Sequence, residues 1–124
     1  MSIALGYDGG DSAERAFAAA IELARDLEES LLIVCGVAPA GGMGEEYEQT
    51  EEAIVEALAP VVGEHSEAVL VDAGPVDALL TVMAERQPRM LVVGYGASGR
   101  IRAALFGAVA PKLMENAEVP VLVV

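Results

Sequence analysis

Short apolar runs alternate with longer amphipathic stretches along this chain. The first run, residues 3–7, gives way to Asp8-Gly9-Gly10-Asp11 and reads as a buried strand ending in a turn. Over 13–27, Ala16, Phe17, Ala20, Ile21, Leu23, Ala24 and Leu27 recur at helical spacing. Glu14, Glu22, Arg25, Asp26 and Glu28 fall mostly on the other face, and Asp11 or Ser12 is placed to cap the start. Residues 31–37 form an unbroken apolar run of strand length, the pattern of a strand covered on both faces. A Gly-rich loop, 39–44, leads into an acidic helical stretch over 45–62, which Pro60 ends or kinks. Residues 68–71 read as a third strand, Asp72-Ala73-Gly74-Pro75 as a turn, and 76–85 as a helix. The fourth strand is predicted over 89–93, followed by a glycine loop over 94–99 and a helix over 103–115. The chain closes on a last strand, Val119-Pro120-Val121-Leu122-Val123-Val124.

Strand and helix therefore alternate throughout, which predicts an α/β fold: an open five-stranded parallel sheet sandwiched between helices, with right-handed crossovers. No repeat and no linker divides it, so residues 1–124 are expected to be a single domain. In such sheets ligands sit beyond the carboxyl ends of the strands, where the strand order reverses. Three places meet that condition: Asp8-Gly9-Gly10, residues 36–43, and residues 94–99.

Composition narrows the function. The chain has 124 residues, 54% apolar and 22% charged, enough for a packed core. Twenty acidic side chains against seven basic ones give a net charge of −13, which repels nucleic-acid phosphates and anionic lipid. No apolar run approaches the ~20 residues of a membrane span, and the N-terminus lacks a signal-peptide pattern, so a cytoplasmic protein is expected. A single cysteine, Cys35, rules out an internal disulfide and a cysteine-cluster zinc site, and a single histidine, His65, argues against a histidine-rich metal site or a Ser-His-Asp triad. Cys35 reads as a core thiol and His65 as an exposed turn residue. Glu45, Glu46, Glu48, Glu51 and Glu52 read as a solvated helix face, and no metal site is predicted. Lys112 is the only lysine. An acidic, lysine-poor surface suits a saline interior, where salt screens its self-repulsion.

Four features in order carry a resemblance. The first strand ends in Tyr7-Asp8-Gly9-Gly10, and a long Ala-rich helix follows. The fourth strand runs into Val92-Val93-Gly94-Tyr95-Gly96-Ala97-Ser98-Gly99. The last strand carries Val119-Pro120-Val121-Leu122-Val123-Val124. Over its whole length the chain resembles the universal stress protein family (UspA-like). The resemblance implies a Rossmann-like, adenine nucleotide alpha hydrolase-like fold.

It also implies function. Nucleotide-binding members carry glycine, two residues, glycine, nine residues, then glycine followed by Ser or Thr. Aligned from Val92-Val93, Gly94 and Gly107 match, while Ala97 takes the second glycine's place and Ala108 the hydroxyl's. Gly96, Ser98 and Gly99 offer flexibility and one hydroxyl in the same loop, and Arg100 and Arg102 add positive charge. By resemblance Asp8 would bond a ribose or base, with Val37 offering backbone contacts to an adenine ring. Asp8 reads equally as a turn aspartate, and Gly36 as a strand end. The cofactor-binding set is thus Asp8, Val37, Gly94, Gly96, Ser98, Gly99 and Gly107, for ATP or AMP. Three readings stand. The first is a non-catalytic stress-response binding protein. The second is a nucleotide-free dimeric interaction module, as Ala97 and Ala108 favour. The third is a slow ATPase, for which no catalytic constellation is found. The resemblance further implies a homodimer joined through residues 119–124, an apolar edge that would otherwise lie bare, and a protein partner that the residues do not identify.

Overall fold

The computed structural model describes residues 1–7, 11–36, 56, 65–94, 113 and 115–124. Their elements, in chain order, are β1 (Ser2–Gly6), α1 (Asp11–Leu27), β2 (Ser30–Gly36), β3 (Ser66–Val71), α2 (Pro75–Arg86), β4 (Met90–Val93) and β5 (Val121–Val123). The strands form a sheet of order β3-β2-β1-β4-β5, and every pairing is parallel. This is the α/β parallel sheet that the alternating pattern predicts.

The pleat explains why the central runs are apolar without alternation. Ile3, Leu5, Ile33, Cys35 and Val92 point to one face and pack under Ala16, Ala20 and Ala24 of α1. Ala4, Leu32, Val34, Leu91 and Val93 point to the other face and pack under Ala78, Leu79 and Val82 of α2. A strand covered on both faces has no polar side, so its sequence cannot alternate. Handedness fixes which helix goes where. The β1-α1-β2 crossover steps one way along the sheet. The β3-α2-β4 crossover steps the other way, so right-handed connections put α1 and α2 on opposite faces.

Both helices end on a residue with positive φ that is not glycine: Glu28 (φ 54°) after α1 and Gln87 (φ 48°) after α2. After α1, the Glu28 N–H donates to the Arg25 carbonyl (3.2 Å) and the Glu29 N–H to the Ala24 carbonyl (2.8 Å), the paired bonds of a Schellman motif. After α2, the Gln87 N–H donates to the Met83 carbonyl (3.1 Å), and buried Pro88 follows. The start of α2 uses Pro75 at a position that needs no N–H donor, and Asp77 in the first turn suits the helix dipole.

Boundaries differ from expectation in small, explicable ways. The helix α1 starts at Asp11, so Asp11 and Ser12 lie inside its first turn instead of preceding it. The third strand begins at Ser66 because the turn at His65 already places its carbonyl on the Leu31 N–H (2.7 Å). The last strand is shorter than the apolar run: Pro120 lacks an N–H, so pairing starts at Val121, although the Pro120 carbonyl accepts from Leu91 (2.9 Å). Of the predicted 45–62 helix only Glu56 is described, and it is helical and exposed. Of the predicted 103–115 helix, Leu113 and Glu115 are helical, as is Asn116 just beyond. Leu113 is buried on the α2 face, the side that a right-handed β4-to-β5 crossover requires.

Candidate functional site at the strand-order reversal

From β1 the sheet grows one way to β2 and β3 and the other way to β4 and β5. The reversal lies between β1 and β4, the place in such a sheet where ligands sit beyond the carboxyl ends of the strands. The register Leu5 with Val92 brings the two exits, at Tyr7 and Gly94, to the same level of the sheet. Backbone bonds hold both rims. The Tyr7 N–H donates to the Val34 carbonyl (2.9 Å), and the Val124 N–H donates to the Val93 carbonyl (2.9 Å). Gly94 is buried.

Tyr7 anchors the β1 side. Its ring is buried on the α1 face and meets Phe17 edge-on, centroids 5.8 Å apart at 64°. Its hydroxyl donates to Oε1 of Glu14 (2.5 Å), the fourth residue of α1. The sequence places Tyr7 in the first strand and Glu14 on the exposed side of the helix. Their bond was not legible, although a strand-end tyrosine turned inward needs a partner for its hydroxyl and the next helix begins with carboxylates.

Gly36 ends β2 at the same edge. A Cβ there would lie 2.7 Å from the Ala73 carbonyl oxygen and 3.0 Å from backbone atoms of Gly74. The β3–α2 turn thus lies directly against the end of β2, and that is why glycine stands there. This accords with the strand-end reading of Gly36.

Of the sequence-predicted site residues, Gly94 lies among the described residues, at the reversal. Asp8, Val37, Gly96, Ser98, Gly99 and Gly107 lie outside them, as do Ala97, Ala108, Arg100 and Arg102. Asp8 follows Tyr7 directly in the chain, and Val37 follows Gly36. Cys35 is fully buried on the α1 face, and His65 is exposed in a turn, each as expected. Among the described residues no group of three or more His, Cys, Asp or Glu side chains could hold a metal ion. Among the same residues no helix is long and apolar enough to cross a membrane.

The opposite end of the sheet carries structural charge pairs. The largely buried Glu29 carboxylate accepts from Arg89 Nη1 (2.9 Å) and lies 3.3 Å from the N-terminal amine. The Arg89 N–H also donates to the Ser2 carbonyl (2.6 Å). These bonds tie the entries of β1, β2 and β4 together, far from the reversal.

The model of the Universal stress protein family matches residues 1–124. The chain belongs to that family. A universal stress protein of Thermus aquaticus is 29% identical over 133 aligned positions, covering 99% of this chain and 97% of its own. A universal stress protein solved in complex with cAMP is 26% identical, with a TM-score of 0.73 over 100% of this chain and 95% of its own. The universal stress protein UspA of Lactobacillus plantarum is 14% identical and superposes with a TM-score of 0.82 over 100% of this chain and 97% of its own. The fold of this family member is therefore shared with relatives whose sequences have diverged widely.

Proposed function

We propose that this universal stress protein acts by binding an adenine nucleotide at the β1/β4 reversal, without catalysing a reaction on it. The observation that carries the reading is the pairing of two strand exits at one level. One exit leads into Asp8-Gly9-Gly10, and the other, through buried Gly94, into a glycine-rich segment. Glycine-rich segments let backbone N–H groups approach phosphate oxygens. A relative 26% identical to this chain binds cAMP, which supports the same ligand class. Asp8 would meet the ribose or base and Val37 the adenine edge. Gly94, Gly96, Ser98, Gly99 and Gly107 would form the phosphate side, with no metal required.

The test is a thermal-shift and calorimetric titration with ATP, ADP, AMP and cAMP. A ligand at 100 times its Kd stabilises by roughly 2.7 kcal/mol. A clear upward shift with at least one of the four, removed by Gly94→Val, is the expected result. A flat response to all four would select the second reading, a nucleotide-free interaction module, which Ala97 and Ala108 favour by standing where nucleotide-binding members carry a glycine and a hydroxyl. In either reading we propose one domain over residues 1–124, and a homodimer through β5, whose Leu122 and Val123 are exposed on a sheet edge.

A further inference from the structure

We propose that Arg89 is a positioning residue: it sets the register of β4 against β1 from the entry end of the sheet, and thereby the level at which Gly94 leaves the sheet at the reversal. That this level governs ligand affinity rests on the nucleotide reading above. The need for such a residue lies in the strands themselves. Met90, Leu91, Val92 and Val93 are all apolar, and core packs on both faces of β4, with Met90 and Val92 toward α1 and Leu91 and Val93 toward α2. Ile3, Ala4 and Leu5 of β1 are likewise apolar and buried. A polar side chain that must face water forbids a slip of register, but here a slip of one residue exchanges apolar for apolar on each face. The bonds from the Leu91 N–H to the Pro120 carbonyl (2.9 Å) and from the Val124 N–H to the Val93 carbonyl (2.9 Å) tie β4 to β5, and the two strands can shift together.

Arg89 supplies what the pattern lacks. It stands between buried Pro88 and the first residue of β4. Its backbone N–H donates to the carbonyl of Ser2, the first residue of β1 (2.6 Å), and its Nη1 donates to Oε1 of Glu29 (2.9 Å). Glu29 is itself fixed. Its N–H closes α1 on the Ala24 carbonyl (2.8 Å), its side chain is only 10% exposed, and β2 opens at the next residue, Ser30. One step along a strand is about 3.3 Å. A slip of β4 therefore breaks both bonds of Arg89, and one of them is the charge-assisted partner of a buried carboxylate.

Three variants separate register from stability: Arg89→Met, Glu29→Met and their double, with Val82→Ala in the α2-face core as the control. The first readout is NMR of the ligand-free protein, through the cross-strand contacts of Leu5 with Val92 and the amide signal of Gly94. Each of the three should show a second Gly94 signal and weaker Leu5–Val92 contacts, all to the same extent, because each breaks the same bond. Stability should follow a different order. Arg89→Met should melt lowest, since it leaves the buried Glu29 carboxylate to the more distant N-terminal amine (3.3 Å). The double should melt higher than Arg89→Met while its register stays as mixed. Glu29→Met strands no buried charge and carries the test should Arg89→Met not fold. Val82→Ala should melt lower with one Gly94 signal and full contacts. A single Gly94 signal and full Leu5–Val92 contacts in the variants would overturn the positioning role, and so would a second signal in Val82→Ala. The second readout is calorimetric affinity for AMP and cAMP, about five-fold weaker in each single variant, as for the loss of one hydrogen bond, and no weaker in the double. Unchanged affinity in variants of mixed register would overturn the link to the site. If the natural chain binds neither nucleotide while the variants still mix their register, the nucleotide reading fails and the positioning role stands.

Discussion

Glu28 closes α1 in a left-handed conformation that side chains resist, because their Cβ crowds the backbone there. Its own N–H and that of Glu29 nonetheless make both bonds of the motif, so the strain is local to one residue. Glu28→Gly should therefore raise stability by about 0.5–1 kcal/mol in urea unfolding, the release of strain exceeding the added entropy of the unfolded chain. Gly36 is the converse case. Its missing Cβ is required by backbone atoms of Ala73 and Gly74 that cannot swing aside, so Gly36→Ala should cost roughly 2–3 kcal/mol. At Gly6 a Cβ would meet the flexible end of Leu79 at 3.0 Å, so Gly6→Ala should cost less than Gly36→Ala in the same assay. Arg86 bonds Glu67 at the exposed β3 edge, and the hydrogen bond and charge of Glu67 hold the guanidinium above its ordinary pKa. A raised cation keeps its partner until pH passes the raised value, so mild alkali leaves this contact intact.

At the scale of elements, the close seat of α1 on the sheet comes from three alanines spaced four apart, Ala16, Ala20 and Ala24, all buried. A larger side chain in that row would lift the helix from β1 and β2. Ala20→Leu should destabilise by about 1–3 kcal/mol, read as a lower urea midpoint with an unchanged slope. Existence and order of the described elements were legible in the sequence, because their apolar runs have strand length and their amphipathic stretches have helical period. The ends were less so. Pro120 shortens β5 through a missing N–H, and the His65 carbonyl lengthens β3 through a bond to a strand far away in the sequence. The candidate site was legible only as three chain positions after strands. Local pattern cannot show that Tyr7 and Gly94 leave the sheet at one level, which depends on the β1/β4 register. Nor can it show that Gly36 is filled by the β3–α2 turn. Leu27 is another miss. It falls in the apolar stripe yet is 40% exposed, being the final residue of α1 before the chain reverses.

At the scale of the molecule, a net charge of −13 on 124 residues is self-repulsion spread over a small body. Added KCl screens it, so the melting temperature should rise between low and molar salt. A melting temperature that stays flat or falls would show that the charge is not limiting. The proposed homodimer makes a second molecular prediction. Val123→Lys places a charge on the exposed edge strand and should convert the dimer to monomer in size-exclusion chromatography at micromolar concentration, with the fold retained by circular dichroism.

The two borders of the sheet are unlike, and that difference bears on how copies can assemble. One border, β3, shows the charged Glu67 beside exposed Ala68 and Leu70; the other, β5, shows Leu122 and Val123. Joining like to like, β5 against β5 about a two-fold axis, uses up the apolar border and stops at two copies. Joining β5 to β3 would leave one border of each kind open after every addition, and growth would continue into a filament. The Glu67 carboxylate on β3, paired with Arg86 at the end of α2, makes that second route costly, because it would have to give up water or its partner to admit an incoming strand. In the proposed homodimer, the unlike borders of the sheet would make assembly stop at two copies.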